Sequence, residues 1–263
     1  MSEQLPPPSR PLEPRPRAIV VGASSGIGAA LVKRLAFSGY HVAALARREA
    51  ELEALCRSIN DNLPPSSAPA ALAYPHDVTD YEAVPELFQQ IVTDLGGLDL
   101  IVYAAAAQPG VDLHEYSFDK DRQMIDTNLL GAMAWLNQAA LRFDRARKGQ
   151  IVGISSIAGD RGRVAAPGYN TSKAALNTYL ESLRNRLSKR GVTVTTIKPG
   201  FVETRLLENA VKTFWVISPE DAAAQIQAAI REGKQTVYVP QRWAAVGMII
   251  RHVPSFLFRR LSF

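Results

Sequence analysis

A hydroxyl, a phenol and an ammonium recur in this 263-residue chain at a spacing that chemistry can use: Ser156 lies thirteen residues before Tyr169, and Lys173 four after it. If a helix starts near Pro167, positions i and i+4 share a face, so the Tyr169 ring and the Lys173 amine project into the same space. A free phenol titrates near ~10. A fixed cation a few Å away favours the phenolate and moves the group toward the range where a general acid or base works. A serine at the end of the preceding strand would hold a carbonyl oxygen in line with the phenol. The trio predicts carbonyl reduction. A tyrosine and a lysine four apart are also common by chance, so the weight of this reading comes from the elements around them.

Ala18-Ile19-Val20-Val21 is a short apolar run of the kind that forms a buried parallel strand. It enters Gly22-Ala23-Ser24-Ser25-Gly26-Ile27-Gly28, and Ala29 to Leu35 then reads as helix. Between a strand and a helix, such glycines permit a tight turn, close approach of backbone to phosphate, and close helix–strand packing. The spacing is Gly-x-x-x-Gly-x-Gly, a departure from the general Gly-x-Gly-x-x-Gly pattern. The second strand, Tyr40 to Ala46, ends in Arg47-Arg48 with no acidic residue. A carboxylate here would take ribose hydroxyls, whereas a cation would receive a 2′-phosphate, so the expected cofactor is NADP(H). The plainer reading is that both arginines begin the next helix.

Ala70 to Tyr74 reads as the third strand, with Asp77-Val78 just beyond it, placed to reach an adenine edge. Thr79 is the expected N-cap of a helix over Asp80 to Leu95, with Glu82 completing a capping box. Leu98 to Ala104 is the fourth strand. Asp119 to Leu141 reads as one long helix in which Asn128 sits among apolar neighbours, making either a structural hydrogen bond or a catalytic relay. Ile151 to Ile154 delivers Ser155 and Ser156 at its carboxyl end, where sheets of this type place ligands. Strand Val192 to Ile197 leads into Pro199-Gly200-Phe201-Val202-Glu203-Thr204, followed by a connection, Arg205 to Ile217, long enough to be a mobile substrate lid. Ser218 and Pro219 open a helix, and Thr236 to Val239 is a last strand. Six strand–helix alternations imply a single α/β unit, a Rossmann-type doubly wound parallel sheet with helices on both faces.

The formal charge of +5 does not mark a nucleic-acid groove. Three arginines against two glutamates leave +1 in residues 1–17, and four arginines without an acid leave +4 in 241–263, so the body 18–240 is neutral. The single Cys56 excludes an internal disulfide, consistent with a reducing, cytoplasmic setting. Residues 1–17, with six prolines and no apolar run, read as a disordered arm rather than a secretory leader. No run approaches the ~20 apolar residues that span a bilayer. In 241–263, Trp243, Val246, Ile249, Ile250, Phe256, Leu257, Phe258 and Leu261 alternate with arginines. That pattern suits the surface of an anionic membrane, which would place the protein at its inner face. The competing readings are packing on a partner subunit or closure over the substrate pocket.

With these residues in view, the chain resembles the short-chain dehydrogenase/reductase family over residues 18–240. The resemblance implies a proton donor at Tyr169, a lysine at 173 that lowers its pKa and binds the nicotinamide ribose, and a carbonyl-positioning Ser156. It implies a water-linked proton path supported by Asn128, an adenine contact at Asp77 and Val78, and a nicotinamide contact at Thr204. It also implies further cofactor contacts at Ala105, Pro199, Gly200 and Val202. Where the family usually shows Asn-Asn-Ala-Gly after the fourth strand, this chain has Tyr103-Ala104-Ala105-Ala106, which leaves backbone contact at Ala105. The implied partners are a small carbonyl or alcohol substrate and further copies of the chain in a dimer or tetramer. The alternative is a non-catalytic NADP(H)-binding protein on the same fold. Sugar-nucleotide epimerisation would want a larger carboxyl-terminal domain.

Overall fold

The computed structural model describes residues 15–63, 70–209 and 213–260. Seven parallel strands form one sheet in the order β3-β2-β1-β4-β5-β6-β7. The strands are β1 (Arg17–Val21), β2 (His41–Ala46), β3 (Ala71–Pro75), β4 (Leu100–Tyr103), β5 (Gly149–Ile154), β6 (Val192–Pro199) and β7 (Thr236–Val239). The central strands β1, β2 and β4 are almost wholly apolar because both faces of the sheet are covered. Ala18 and Val20 of β1 pack with Leu31 and Leu35 of α1 (Gly26–Phe37), Leu52 of α2 (Glu49–Asn60) and Ile226 of α7 (Pro219–Arg231). On the other face, Ile19 and Val21 join Phe88 of α3 (Val84–Leu95), Trp135 of α5 (Gly131–Ala146) and Leu180 of α6 (Pro167–Leu187). This is the expected doubly wound sheet. Its strand order reverses between β1 and β4, which opens a crevice at their carboxyl ends.

Several boundaries differ from expectation. Arg17 belongs to β1 rather than to the amino-terminal arm: its amide donates to the Asp99 carboxylate at 2.9 Å. Thr79 does not cap α3, which begins at Val84 with Ala83 before it. The Thr79 amide and hydroxyl instead donate to the Asp77 carboxylate at 3.0 and 2.8 Å, and this side-chain turn uses up the residues a capping box would need. Residues 1–14 of the arm, 64–69 of the loop before β3, 210–212 of the expected lid and 261–263 of the tail lie outside the described residues.

The helix expected over Asp119–Leu141 is divided into α4 (Phe118–Ile125), a π-helical turn at Asp126–Leu130, and α5. The cause lies at the end of β4. The fully buried Tyr103 donates its phenol proton to the Thr127 carbonyl at 2.6 Å, giving that carbonyl a partner from outside the helix. A Cβ added to Gly131 would stand 2.5 Å from the phenol oxygen. A side chain reaching the ladder in this way is a recognised cause of local unwinding. Tyr103 thus ties β4 to the helix from the position where an asparagine was expected. Tyr103→Phe keeps the packing and removes the bond, and is expected to cost about 1–3 kcal/mol by urea denaturation. An unchanged midpoint would show that the Thr127 carbonyl is satisfied without the phenol.

Candidate active site

The turn after β1 is fastened to β2, because the Gly22 and Ala23 amides both donate to the Leu45 carbonyl, at 2.8 and 2.9 Å. Gly22 has φ +90°, and an added Cβ would collide with the Ala105 backbone. A Cβ on Gly28 would collide with the Gly22 carbonyl. Only glycines let the two strand ends and the first turn of α1 approach this closely. Thr204 reaches the same turn, with its methyl group 2.9 Å from the position a Gly26 Cβ would take. Ala105 therefore meets the turn through its backbone, and the alanines after Tyr103 leave that contact intact.

The two arginines after β2 take different partners. Arg48 donates to the Ser24 and Ser25 hydroxyls at 2.8 and 2.7 Å, with Glu51 beside it at 3.3 Å. Arg47 is turned outward and pairs with Asp77 at 3.6 Å. Burial raises the Asp77 carboxyl, but the two Thr79 hydrogen bonds and the Arg47 cation outweigh it and hold the group below its ordinary value. The Val78 side chain is buried in the core, which leaves only its backbone for a ligand. Ile27 is half-buried against the opposite core cluster. Val202, also buried, bridges to Ile217 and closes the base of the connection between them. The described part of that connection begins with a short 3-10 helix, Arg205–Asn209. A dinucleotide fits this cradle: the turn is bare of Cβ atoms where the backbone must come close, and Ser24, Ser25 and Arg48 supply hydroxyl and guanidinium donors at the amino end of α1.

Ser156 follows β5, and its hydroxyl caps the short turn Ile157–Gly159 by accepting from the Ala158 amide at 3.0 Å. Tyr169 enters in the first turns of α6, behind Pro167. Burial pushes its phenol above the ordinary value, opposed by a hydrogen bond from the Ser156 hydroxyl and by the Arg163 guanidinium. Tyr169 is therefore protonated at neutral pH. Lys173 departs from expectation. Its amine donates to the Ile154 carbonyl at 3.0 Å and lies 5.8 Å from the centroid of the Tyr169 ring. Burial lowers its pKa to about 7, because a charge in this dry site is disfavoured. The groups that favour the phenolate against this burial are the Ser156 hydroxyl and the Arg163 guanidinium.

Asn128, in the π turn, is wholly buried and fully engaged. It accepts from the Ala107 amide at 2.7 Å and donates to the Ala107 carbonyl and the Ser172 hydroxyl, each at 3.0 Å. Ser172 in turn donates to the Tyr169 carbonyl at 2.8 Å. Sequence reasoning passed over Ser172 and Asn170, whose amide holds the Ala165 carbonyl at 2.9 Å. Their signal was available, as polar residues flanking Tyr169 on the inward face of a helix. Arg163 carried none, since its loop has no periodicity.

The carboxyl-terminal segment is seated on the body. In α8 (Trp243–His252), Trp243 is buried over Gly200, where a Cβ would strike the indole. The rings of Phe201, Phe214, Trp215 and Trp243 lie 5.0–5.6 Å apart, beside Pro199 and Gly200. The first helix of the tail is thus a wall of the molecule. Among the described residues no helix is long and apolar enough to cross a membrane.

A family model for short chain dehydrogenases matches residues 16–214. An uncharacterized oxidoreductase of Myxococcus xanthus is 35% identical over 244 residues, covering 92% of this chain and 94% of that protein. Another, from Mycobacterium tuberculosis, is 29% identical over 253 residues, covering 94% and 98%. Among solved structures, a short-chain type dehydrogenase/reductase from Mycobacterium ulcerans aligns with a TM-score of 0.76 at 22% identity, over 85% of this chain and 88% of that one. A structure described as ElxO with NADP bound aligns at 0.72 and 23% identity, over 86% and 98%. The chain belongs to the short-chain dehydrogenase family of oxidoreductases.

The amine of Lys173 makes a test. Its folded pKa of about 7 lies below the ordinary 10.5, so unfolding takes up a proton between these values and stability rises with pH across that window. Between pH 7.5 and 9.5 the native chain should gain stability relative to Lys173→Met at up to about 1.4 kcal/mol per pH unit, measured by urea denaturation. The same pH dependence in both proteins would show that the amine is not held neutral by burial.

Proposed function

We propose that the protein is an NADPH-dependent reductase of aldehydes or ketones in which Tyr169 gives the proton. The observation that carries this reading is the Ser156 hydroxyl brought beside the buried Tyr169 phenol at the carboxyl end of β5, next to the crevice where the strand order reverses. A nicotinamide cofactor held there would supply hydride to the carbonyl carbon. Ser156 would hold the carbonyl oxygen, and the protonated Tyr169 would transfer its proton to that oxygen as negative charge develops. Lys173, buried with its amine 5.8 Å from the centroid of the Tyr169 ring, would support the phenolate in its protonated form. Asn128 holds the segment after β4 and Ser172 in place around these groups.

The preference for NADPH rests on Arg48. It is braced on two serine hydroxyls of the glycine turn, arginines rather than a carboxylate stand directly after β2, and a fold neighbour is described with NADP bound. Arg47 is the weaker candidate because it is turned outward and makes no contact with the serines of the glycine turn. The aromatic wall of Phe201, Phe214 and Trp215 suits a substrate with an apolar body.

Tyr169→Phe should lower kcat by about 10²–10⁴-fold, the usual worth of a positioned acid, with NADPH affinity little changed. Near-normal turnover in that variant would overturn the mechanism. Arg48→Ala should weaken NADPH binding by roughly 10- to 100-fold, the loss expected for charge-assisted bonds to a phosphate, and leave NADH binding nearly unmoved. Arg47→Ala should have the smaller effect. Equal losses for both cofactors in Arg48→Ala would remove the 2′-phosphate assignment.

A further inference from the structure

The loop that carries Ser156 is clasped by the far end of the chain. Asp160 lies four residues beyond Ser156, and its side chain is 1% exposed, paired with Lys198 of β6, itself 9% exposed. Lys198 donates to one carboxylate oxygen at 2.5 Å and the Tyr238 phenol of β7 to the other at 2.7 Å. Helix α8 crosses this group at Gly247, where a Cβ would stand 2.7 Å from the Tyr238 ring and 2.8 Å from the Asp160 carboxylate. Only a residue without a side chain lets the helix come so close.

Arg161, the next residue, reaches the end of the same helix. One guanidinium nitrogen donates to the carbonyls of Ile250, Arg251 and Val253 at 3.2, 3.3 and 2.7 Å. The other donates to the Ser255 hydroxyl at 3.1 Å, and the guanidinium lies 4.5 Å over the Phe258 ring of α9 (Ser255–Phe258). The last carbonyls of a helix lack intrahelical partners and carry the negative end of its dipole, so a cation is favoured there. The clasp closes on the turn that Ser156 caps. That turn is completed by the Asp160 amide donating to the Ile157 carbonyl at 3.0 Å, and Ile157 is buried with Tyr238 and Trp243. A shift of Asp160 or Arg161 is therefore passed to the Ser156 hydroxyl through three residues of short helix.

We propose that Asp160 and Arg161 are positioning residues for the reaction: they use the carboxyl-terminal helices to fix the turn that presents Ser156 to Tyr169. This rests on the reading of Ser156 and Tyr169 given above. The segment 243–258 then belongs to the catalytic unit, although it makes none of the chemistry.

The test uses the full chain with NADPH and a panel of medium-chain aldehydes and ketones, with Ser156→Ala as the reference. Arg161→Ala is expected to lower kcat about tenfold or more, with the NADPH dissociation constant changed less than about twofold, while Arg161→Lys recovers part of the loss. Gly247→Ala, which pushes on the same contact from the helix side and leaves the arginine in place, should show the same pattern. Added to Ser156→Ala, Arg161→Ala should bring no further loss of kcat, because both act through one hydroxyl. Unchanged kcat in both Arg161→Ala and Gly247→Ala, or losses that multiply with that of Ser156→Ala, would overturn the inference while leaving the reductase reading intact. Full turnover by Ser156→Ala itself, or no turnover of any panel member by the unaltered protein, would instead overturn the reading beneath it.

Discussion

The site depends on one constraint: polar side chains buried along the start of α6 must each find a partner inside the protein. Tyr169, Asn170, Ser172 and Lys173 are all buried there. A buried polar group left unpaired costs about 1–3 kcal/mol, so four of them together could undo a domain. Each is met by a different element. Tyr169 takes the serine after β5, Asn170 the backbone of its preceding loop, Ser172 the asparagine of the π turn, and Lys173 the last carbonyl of β5. Satisfying the helix therefore pins β5, the loop 160–166 and the π turn at once. The order required for chemistry is a by-product of folding the helix down.

The same accounting explains the segment after β4. An alanine run there offers no side-chain hydrogen bonds, and the work passes to Tyr103 before it and to Asn128 across from it. Tyr103 bonds the Thr127 carbonyl from the strand side, and Asn128 bonds the Ala107 backbone from the helix side.

Much of this was legible in the chain. The sheet follows from apolar runs punctuated by glycine and arginine, and Ser156, Tyr169 and Lys173 declared themselves by spacing. What was hidden depends on contacts between distant residues. The π turn is set by a tyrosine 24 positions away from Thr127, which no helical period records. The late start of α3 follows from Thr79 bonding Asp77 instead of the helix. The cation that favours the Tyr169 phenolate could not be read from an i, i+4 rule, because that rule fixes a face and says nothing of how dry the face is. Burial lowers the pKa of Lys173, and the cation that favours the phenolate is Arg163, from an unpatterned loop. The carboxyl-terminal arginines suggested a surface role, yet the arginine that matters to the tail's placement, Arg161, lies 90 residues before Arg251, whose carbonyl it holds.

The two ends of the fold are not equivalent for anyone who handles the protein. β1 begins at the amino end of the sheet, opposite the crevice, where the Arg17 amide is fixed on Asp99. The other end runs through α8 and α9, a few residues from the clasp on Asp160 and Arg161. A fusion partner attached there would load the helices that Arg161 holds, so tethering from the front of the chain is the safer design.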